Sequence, residues 1–542
     1  MAPYTLLSLC ETHTGTLHRT LPVHKSPKPE HIWKMSILGP DGRPHTRRRR
    51  DEAGPSNPPQ EPAQPPPQPP QPVGYPGGPS DLSLLVRYQD HVARRLWYGQ
   101  ERGPKKELKV AGHGTKLQDR VPMVLPPEIE VIVRESGLAS LQRTSLTKID
   151  VNPVSAFVER WHVETSSFHM PFGEMTITLD DVACLLDLPI GGMFWYSNEH
   201  VIEEVTVDLG CELLGVDRRA MAEHVRSCRG AYYSLQWLYD RFVEYRAAGS
   251  WAFATRAYLM MLVGSIIFVD KTFTLVEARY LPLFKDLRGL SHYSWASAAL
   301  VTLYRHLGDA SMFSCKQLRG YPTLLQYFPT LGRKGENWRP SENLGLPRAM
   351  RWSYRQGAIK VDAYRPILDQ LTPIDVIWRP FEDRRPHRAF NELSLYRGFL
   401  VWGELHVPYL PDRCLRQFGY CQYIPPAPPA DTLSNDEIAV EWIAYVQSVT
   451  DVIRDTRPVG YPHETVDGYL EWYYRVSHPQ VVPPPPSARR EVAVPVFEAG
   501  PADPDWARAS TLVHRYLRQV EAEEDDVTYA DLFEVLRIAH EH

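Results

Sequence analysis

Four acidic residues, Asp180, Asp181, Asp270 and Glu277, are of the type that holds divalent metal for nucleic-acid strand transfer. Spacing alone does not bring them together. Asp180 and Asp181 also stand at the start of a helix, where carboxylates favour the helix dipole whatever the function. His406, Cys414 and Cys421 form an H-x7-C-x6-C series of zinc-ligand types. Structural zinc uses pairs two to four residues apart, and no fourth ligand follows. Lys271 comes just after the apolar run Ala257–Val269 and is the one candidate for a pyridoxal phosphate Schiff base. It lacks a phosphate-binding loop and an acid for the ring nitrogen. A lysine snorkelling at a helix end has the same appearance. Cys184, Cys211, Cys228 and Cys315 lie in apolar helical settings and read as core residues.

The strings that mark common enzyme classes are missing. There is no G-x-x-x-x-G-K-[ST] loop, no strand–GxGxxG–helix unit, no H-E-x-x-H helix and no G-x-S-x-G elbow. Metallophosphatase strings of Asp, His and Asn with glycine are absent too.

The elements that would position any site are mostly helical. Thr178 with Asp181 forms a capping box before Val182, Leu185 and Leu186, and Pro189 with Gly191-Gly192 should end that helix. Residues 232–248 place Leu235, Leu238, Tyr239, Phe242 and Tyr245 on one side. Residues 294–307 form an apolar helix that Gly308 should stop. Ala257–Val269 is too short to span a membrane, which takes ~20 apolar residues, and reads as a buried helix. In Asp436–Asp455, Ile438, Trp442, Val446, Val449 and Ile453 share a helical face. Strand signals are short: Glu174–Thr178, Val376–Trp378 and Phe399–Val407. The fold class is therefore mainly α with a few short strands.

Composition and charge divide the 542 residues. Hydrophobic residues make up 43%, enough for a real core. Seven cysteines without paired spacing fit a reducing compartment better than a disulfide scaffold. Neither a signal peptide nor a C-terminal lipidation signal is recognised. Residues 1–80 carry 18 of the 50 prolines, 12 of them in 55–79, and read as a disordered, proline-rich basic region. A basic lead-in follows at 81–120, then a core at 121–425 and a helical part at 431–479. A proline-rich linker (480–505) and an acidic helical tail (506–542) complete the division. The net charge is +7 over 1–120, zero over 121–430 and −12 over 431–542. The front has the sign to contact phosphate and the tail the sign to contact a basic partner, although solvated tails look the same.

Nucleic-acid signals are modest. Arg47, Arg48, Arg49 and Arg50 form a run suited to nuclear import or phosphate contact. Arg94, Arg95, Lys105, Lys106, Lys109 and Lys116 lie around Trp97 and Tyr98, a mix that grips backbone and stacks on bases elsewhere.

Several longer strings carry a family likeness. They are RWHVETSSFHMPFGEMTITLDDVACLLDLPIGG (160–192), YLMMLVGSIIFVDKT (258–272), GLSHYSWASAALVTLYRHLGDAS (289–311), YRPILDQLTPIDVIWRPF (364–381), PDRCLRQFGYCQYIP (411–425) and YLEWYYRVSHP (469–479). In order and spacing they resemble the plant mobile domain, also called the aminotransferase-like plant mobile domain, in its MAIN-like (maintenance of meristems) group. The resemblance covers roughly 120–479 and departs at Cys414, where a valine is usual.

The resemblance implies a plant nuclear protein, similar to domains carried by transposable elements. It implies roles in transposon silencing, gene-expression control, genome integrity or meristem maintenance, with nuclear proteins or chromatin as partners. It brings no catalytic residues, no cofactor and no metal, and the phosphatase strings fused to some members are missing here. Trp161, Phe168, Trp295, Trp378 and Phe418 are expected to pack in the core. Glu164, His169, Arg413, Arg416 and Gln417 are the polar residues of the shared strings, serving either buried hydrogen-bond networks or a binding surface. The leading expectation is a non-enzymatic nuclear protein that acts through protein or chromatin contacts and has no membrane association. The alternatives are a mobile-element-derived nucleic-acid-binding module with weak binding, and an unrecognised enzyme.

A 62.1 kDa chain is large for passive entry into the nucleus. Replacing Arg47–Arg50 with alanine in a fluorescent fusion should lower the nuclear signal. An unchanged distribution would assign import to another segment.

Overall fold

In a computed structural model of the chain, the described residues are 78–110, 124–144, 150–197, 200–319, 325–334, 338–343, 345–353, 359–448, 457–484 and 530–541, with single residues around 510–517. All lie in one compact unit, Pro69–His542. The proline-rich stretch, Arg47–Arg50 and most of the acidic tail fall outside them. The expectation of a mainly α chain with short strands holds. The longer helices are α1 (Val92–Trp97), α2 (Pro127–Glu135), α3 (Val151–Val158), α4 (Leu179–Leu186), α5 (Glu203–Leu214), α6 (Arg218–Cys228), α7 (Leu235–Ala247), α8 (Trp251–Ile266) and α9 (Trp295–Ser311). They are followed by α10 (Val361–Asp369), α11 (Asn435–Gln447), α12 (Tyr469–Val476) and α13 (Ala530–Glu541). Among the described residues no helix is long and apolar enough to cross a membrane.

Two helices form the centre. In α8, Ala257–Ile266 is apolar almost all round, so it is buried from every side. Each fully buried Leu or Met there contributes about 1.5–3 kcal/mol relative to exposure. Helices α7 and α8 pack along each other as a hairpin. Helix α9 is nearly as buried and touches α4, β1 (Trp161–His162) and a hairpin made of β6 (Gly398–Trp402) and β7 (Leu405–Tyr409). Gly403, at φ +64°, makes the tight turn of that hairpin. All five residues of β6 are buried because α9 and α11 both pack against it. The run Phe399–Trp402 is accordingly apolar without alternation.

The sheet that matters for the site is small and antiparallel: β1, then β2 (Ser167–Met170), then β3 (Gly173–Met175). Trp161 faces Phe168, and His169 faces Glu174. A second antiparallel pair joins β4 (Tyr232–Ser234) to β5 (Leu275–Glu277).

Several local expectations are corrected. Residues 232–234 form a strand, and Ser234 caps α7 only after it. Val376–Trp378 has no strand: it runs on from a short 3-10 turn, with the Trp378 indole donating to the Pro373 carbonyl at 3.0 Å. Phe399–Val407 is a hairpin rather than one strand. The Thr178–Asp181 capping box is present, but α4 stops at Leu186, because Asp187 already takes the left-handed conformation at φ 60°. Helix α11 ends at Gln447, and residues 449–456 lie outside the described residues. Trp161, Phe168, Trp295 and Trp378 are core residues, but Phe418 is only half-buried and meets Phe390 edge-on. Of the cysteines expected in helices, Cys184 is buried and Cys211 and Cys228 are half-buried, while Cys315 is half-buried outside any helix, past the end of α9 at Ser311.

Gly308 does not stop its helix, which runs on to Ser311. A glycine is needed there for another reason. A Cβ at 308 would lie 2.4 Å from Cγ1 of Val163, which follows β1. Gly308→Ala should therefore lose about 1–3 kcal/mol of stability by overpacking, instead of gaining the ~1 kcal/mol expected in a helix interior. Adding Val163→Ala should recover more than half of the loss in urea denaturation. A stabilised Gly308→Ala single variant would contradict this packing.

Candidate functional site

Glu174 sits in the middle of β3 with no solvent exposure. A carboxylate in an apolar strand demands a partner. Arg413, in a 3-10 turn after β7, supplies it: Nε donates to Oε2 and Nη2 to Oε1, each at 2.7 Å. Ser167 of β2 donates its hydroxyl to Oε2 at 2.6 Å, and its oxygen lies 2.8 Å from Thr165 Oγ1. His169 lies across from Glu174, its Nε2 3.1 Å from Thr165 Oγ1 and its Nδ1 2.7 Å from Ser477 Oγ. Burial drives the Glu174 carboxyl toward the neutral form, but Arg413, His169 and the hydrogen bonds reverse this and hold it below its usual range. Burial pushes His169 down to about 4, with Glu174 opposing and Arg413 and Arg160 assisting.

Two neighbours on the Arg413 turn extend the network. Gln417 pairs with the backbone of Thr176 through both amide atoms, at 2.8 Å each. Arg416 donates to the Phe172 carbonyl at 3.0 Å and lies over Trp378, 4.3 Å from the ring centroid, and Tyr469, at 5.7 Å. Among the described residues its Nε and Nη2 have no hydrogen-bond partner, and burial lowers its pKa. Gly173, at φ +124°, is required beneath it, since a Cβ there would stand 2.3 Å from Arg416 Nη2.

Thus His169, Arg413, Arg416 and Gln417 converge on β2 and β3. Glu164 does not join them: it is half-buried, and its carboxylate accepts from the Arg87 backbone at 2.7 Å, fastening the N-terminal segment. Arg47–Arg50 lie outside the described residues. The other acidic candidates are engaged separately. Asp180 pairs with Arg385 at 2.7 Å, Asp270 caps Thr272, and Glu277 pairs with Arg279 at 2.5 Å. Burial raises Asp181 to about 7 despite hydrogen bonds from Thr178 and Tyr327. His406 pairs with Asp431 at 2.8 Å, and Lys271 is exposed.

The sequence reading missed Glu174 itself, although a lone acid within EMTIT and an arginine within PDRC were visible clues. It also missed Arg160, buried in the turn after α3, which pairs with Asp369 and donates to the Pro479 carbonyl at 2.9 Å. Asp369 in turn accepts from the Val481 and Val482 amides. Arg365 holds Glu159 at 2.7 Å and Glu101 at 2.7 Å. Finally, His91, His162 and His478 meet in a buried cluster beside His169. His162 and His478 are 2.5 Å apart through their Nε2 atoms, and the His91 and His162 rings stack at 4.0 Å. Burial pushes His91 down to about 3.

Chemically, the Glu174 carboxylate is saturated by a bidentate guanidinium and a hydroxyl. It is an anchor for three chain segments rather than a base facing a cleft. Those segments coincide with the shared strings, and residues 137–474 match the plant mobile domain family. The chain belongs to the plant mobile domain family. It is 34% identical to "Protein MAIN-LIKE 1" of Arabidopsis thaliana over 74% of this chain and 79% of that protein. It is 30% identical to "Protein MAINTENANCE OF MERISTEMS" of the same plant over 74% of this chain and 84% of the relative. A third Arabidopsis thaliana relative, "Serine/threonine-protein phosphatase 7 long form homolog", is 28% identical over 75% of this chain but only 32% of its own length. No solved structure matches the chain.

Glu174→Gln should cost about 3–5 kcal/mol by leaving Arg413 buried and uncompensated. Arg413→Lys should also destabilise, since a lysine cannot make the bidentate fork. The pair Glu174→Leu with Arg413→Met should lose less than Glu174→Gln alone. Urea denaturation reads all three, and a loss below ~1 kcal/mol for Glu174→Gln would contradict the anchoring role.

Proposed function

We propose that this protein is a non-catalytic nuclear member of the MAIN-like group. It acts in meristem maintenance, transposon silencing or gene-expression control through contacts with proteins or chromatin. The observation that carries the reading is the similarity to MAIN-LIKE 1 and MAINTENANCE OF MERISTEMS along about three-quarters of the chain. The burial of the shared polar residues supports the non-catalytic part. His169, Glu174, Arg413, Arg416 and Gln417 are spent on holding segments together. The phosphatase named among the relatives is matched over only about a third of its length, so phosphatase activity does not transfer.

The competing nucleic-acid reading rests on the basic lead-in, and part of that charge is used inside the fold. Arg102 is buried and donates to the Met312 and Cys315 carbonyls at 3.0 and 2.8 Å. Lys106 pairs with Asp362 at 2.7 Å.

Pull-down from plant nuclear extract, run beside a salt titration of DNA binding, separates the two. Full-length protein and a chain lacking residues 1–77 should capture the same partners. DNA binding should be weak and sequence-tolerant, and should fade between about 50 and 200 mM salt. Tight, sequence-selective DNA binding by the shortened chain would favour the nucleic-acid module instead.

A further inference from the structure

His91, His162 and His478 come from three distant parts of the chain: the residue before α1, the end of β1 and the second residue after α12. They meet in one buried seam, each no more than 2% exposed. One ring nitrogen from each lies within 4.8 Å of the other two. Among the described residues no other group of three His, Cys, Asp or Glu side chains is disposed to hold an ion. The set contains neither thiolate nor carboxylate.

We propose that these three histidines form a site for a divalent transition-metal ion of borderline softness, Zn²⁺ or its analogue Co²⁺. The ion fastens residues 81–97 and 476–482 onto the β1–β3 sheet.

Three features support this. First, two imidazole nitrogens, His162 Nε2 and His478 Nε2, approach to 2.5 Å. Two lone pairs repel at that distance unless a proton or a cation lies between them. Metal-bound imidazole nitrogens sit ~2.0–2.1 Å from zinc. A small opening of this pair, well inside the 4.8 Å envelope, admits the ion. Second, the outer nitrogen of His91 has a backbone neighbour of the kind that orients ligating histidines. His91 Nε2 lies 2.8 Å from the Trp161 carbonyl, which leaves Nδ1 with the lone pair. His478 turns its Nε2 toward His162. Third, joining an ion costs the cluster little: His162 Nε2 and His478 Nε2 already face each other, and His91 Nδ1 is engaged only by the long Ala93 bond. His169, the fourth histidine beside them, already uses both nitrogens on Thr165 and Ser477.

Binding has one local requirement. His91 Nδ1 now accepts from the Ala93 amide at 3.2 Å, and its ring stacks on His162. The His91 ring must turn to bring that lone pair to the ion. The turn gives up a long hydrogen bond at the start of a six-residue helix. Metal loading is thereby coupled to how the N-terminal segment docks. That segment is also held by Leu85, Tyr88 and Val92 against Val476 and Val481.

The test uses full-length, tag-free protein stripped with chelator and titrated with Co²⁺. About one Co²⁺ should bind per chain, produce visible ligand-field bands, be displaced by Zn²⁺, and raise Tm. The His162→Gln/His478→Gln double variant should bind ~10-fold or more weakly. His406→Gln, on the other side of the sequence's histidine set, should bind like the natural chain. X-ray absorption at the cobalt edge needs no variant and should read imidazole nitrogens at ~2.0–2.1 Å. It therefore decides the matter if the double variant does not fold. The proposal is overturned by binding below ~0.1 ion per chain, by an edge spectrum dominated by sulfur or lacking imidazole, or by unchanged affinity in a folded double variant.

Discussion

The carboxylate of Glu174 is removed from water completely and given to a single guanidinium from a segment 239 residues away. An ion pair in such a place gains little net free energy, because desolvation offsets the attraction. Its importance is conditional: once one partner is buried, the other has to arrive. That condition ties β3 to the turn after β7. The same segment brings Arg416 and Gln417 onto Phe172 and Thr176, and α12 closes over them with Tyr469 and Tyr473. His169 and Ser477 complete the link. Arg160 with Asp369, Arg365 with Glu159, and Arg384 with Asp187 repeat the device elsewhere. Buried arginines, each answered by an acid or a carbonyl, fasten segments that hydrophobic contact alone would leave free to slide.

What the sequence revealed followed local rules. The Thr178–Asp181 box, the buried Ala257–Val269 run and the face containing Ile438 and Trp442 depend on neighbours within a few residues, and all three form. The errors came where a distant partner decided the outcome. Gly308 reads as a stop signal, yet it is the place where Val163 comes close. Val376–Trp378 has strand composition, but among the described residues it joins no ladder, and Ile377 N–H donates to the Tyr327 carbonyl at 3.0 Å. Phe418 looks like core because it is aromatic, although it keeps part of its surface in solvent.

The candidate site was legible in its residue types and illegible in its pairings. His169, Arg413, Arg416 and Gln417 stand out as polar residues inside shared strings. That Arg413 answers Glu174, or that Glu164 instead holds Arg87, is a matter of tertiary geometry. The three-histidine cluster was invisible for the same reason, since no spacing rule joins positions 91, 162 and 478. The family likeness reaches the same segments from another direction. The family match, residues 137–474, takes in Glu174, Arg413, Arg416, Gln417 and most of α12.

If the buried pairs make these segments one cooperative unit, their backbone amides should open together. Native-state hydrogen exchange tests this most directly. Amides of residues 167–175, 413–422 and 469–478 should exchange at one common slow rate, set by global unfolding. Exchange of 469–478 at the rate of a surface loop, while 167–175 stays protected, would show that α12 is merely laid over the sheet and would contradict the account.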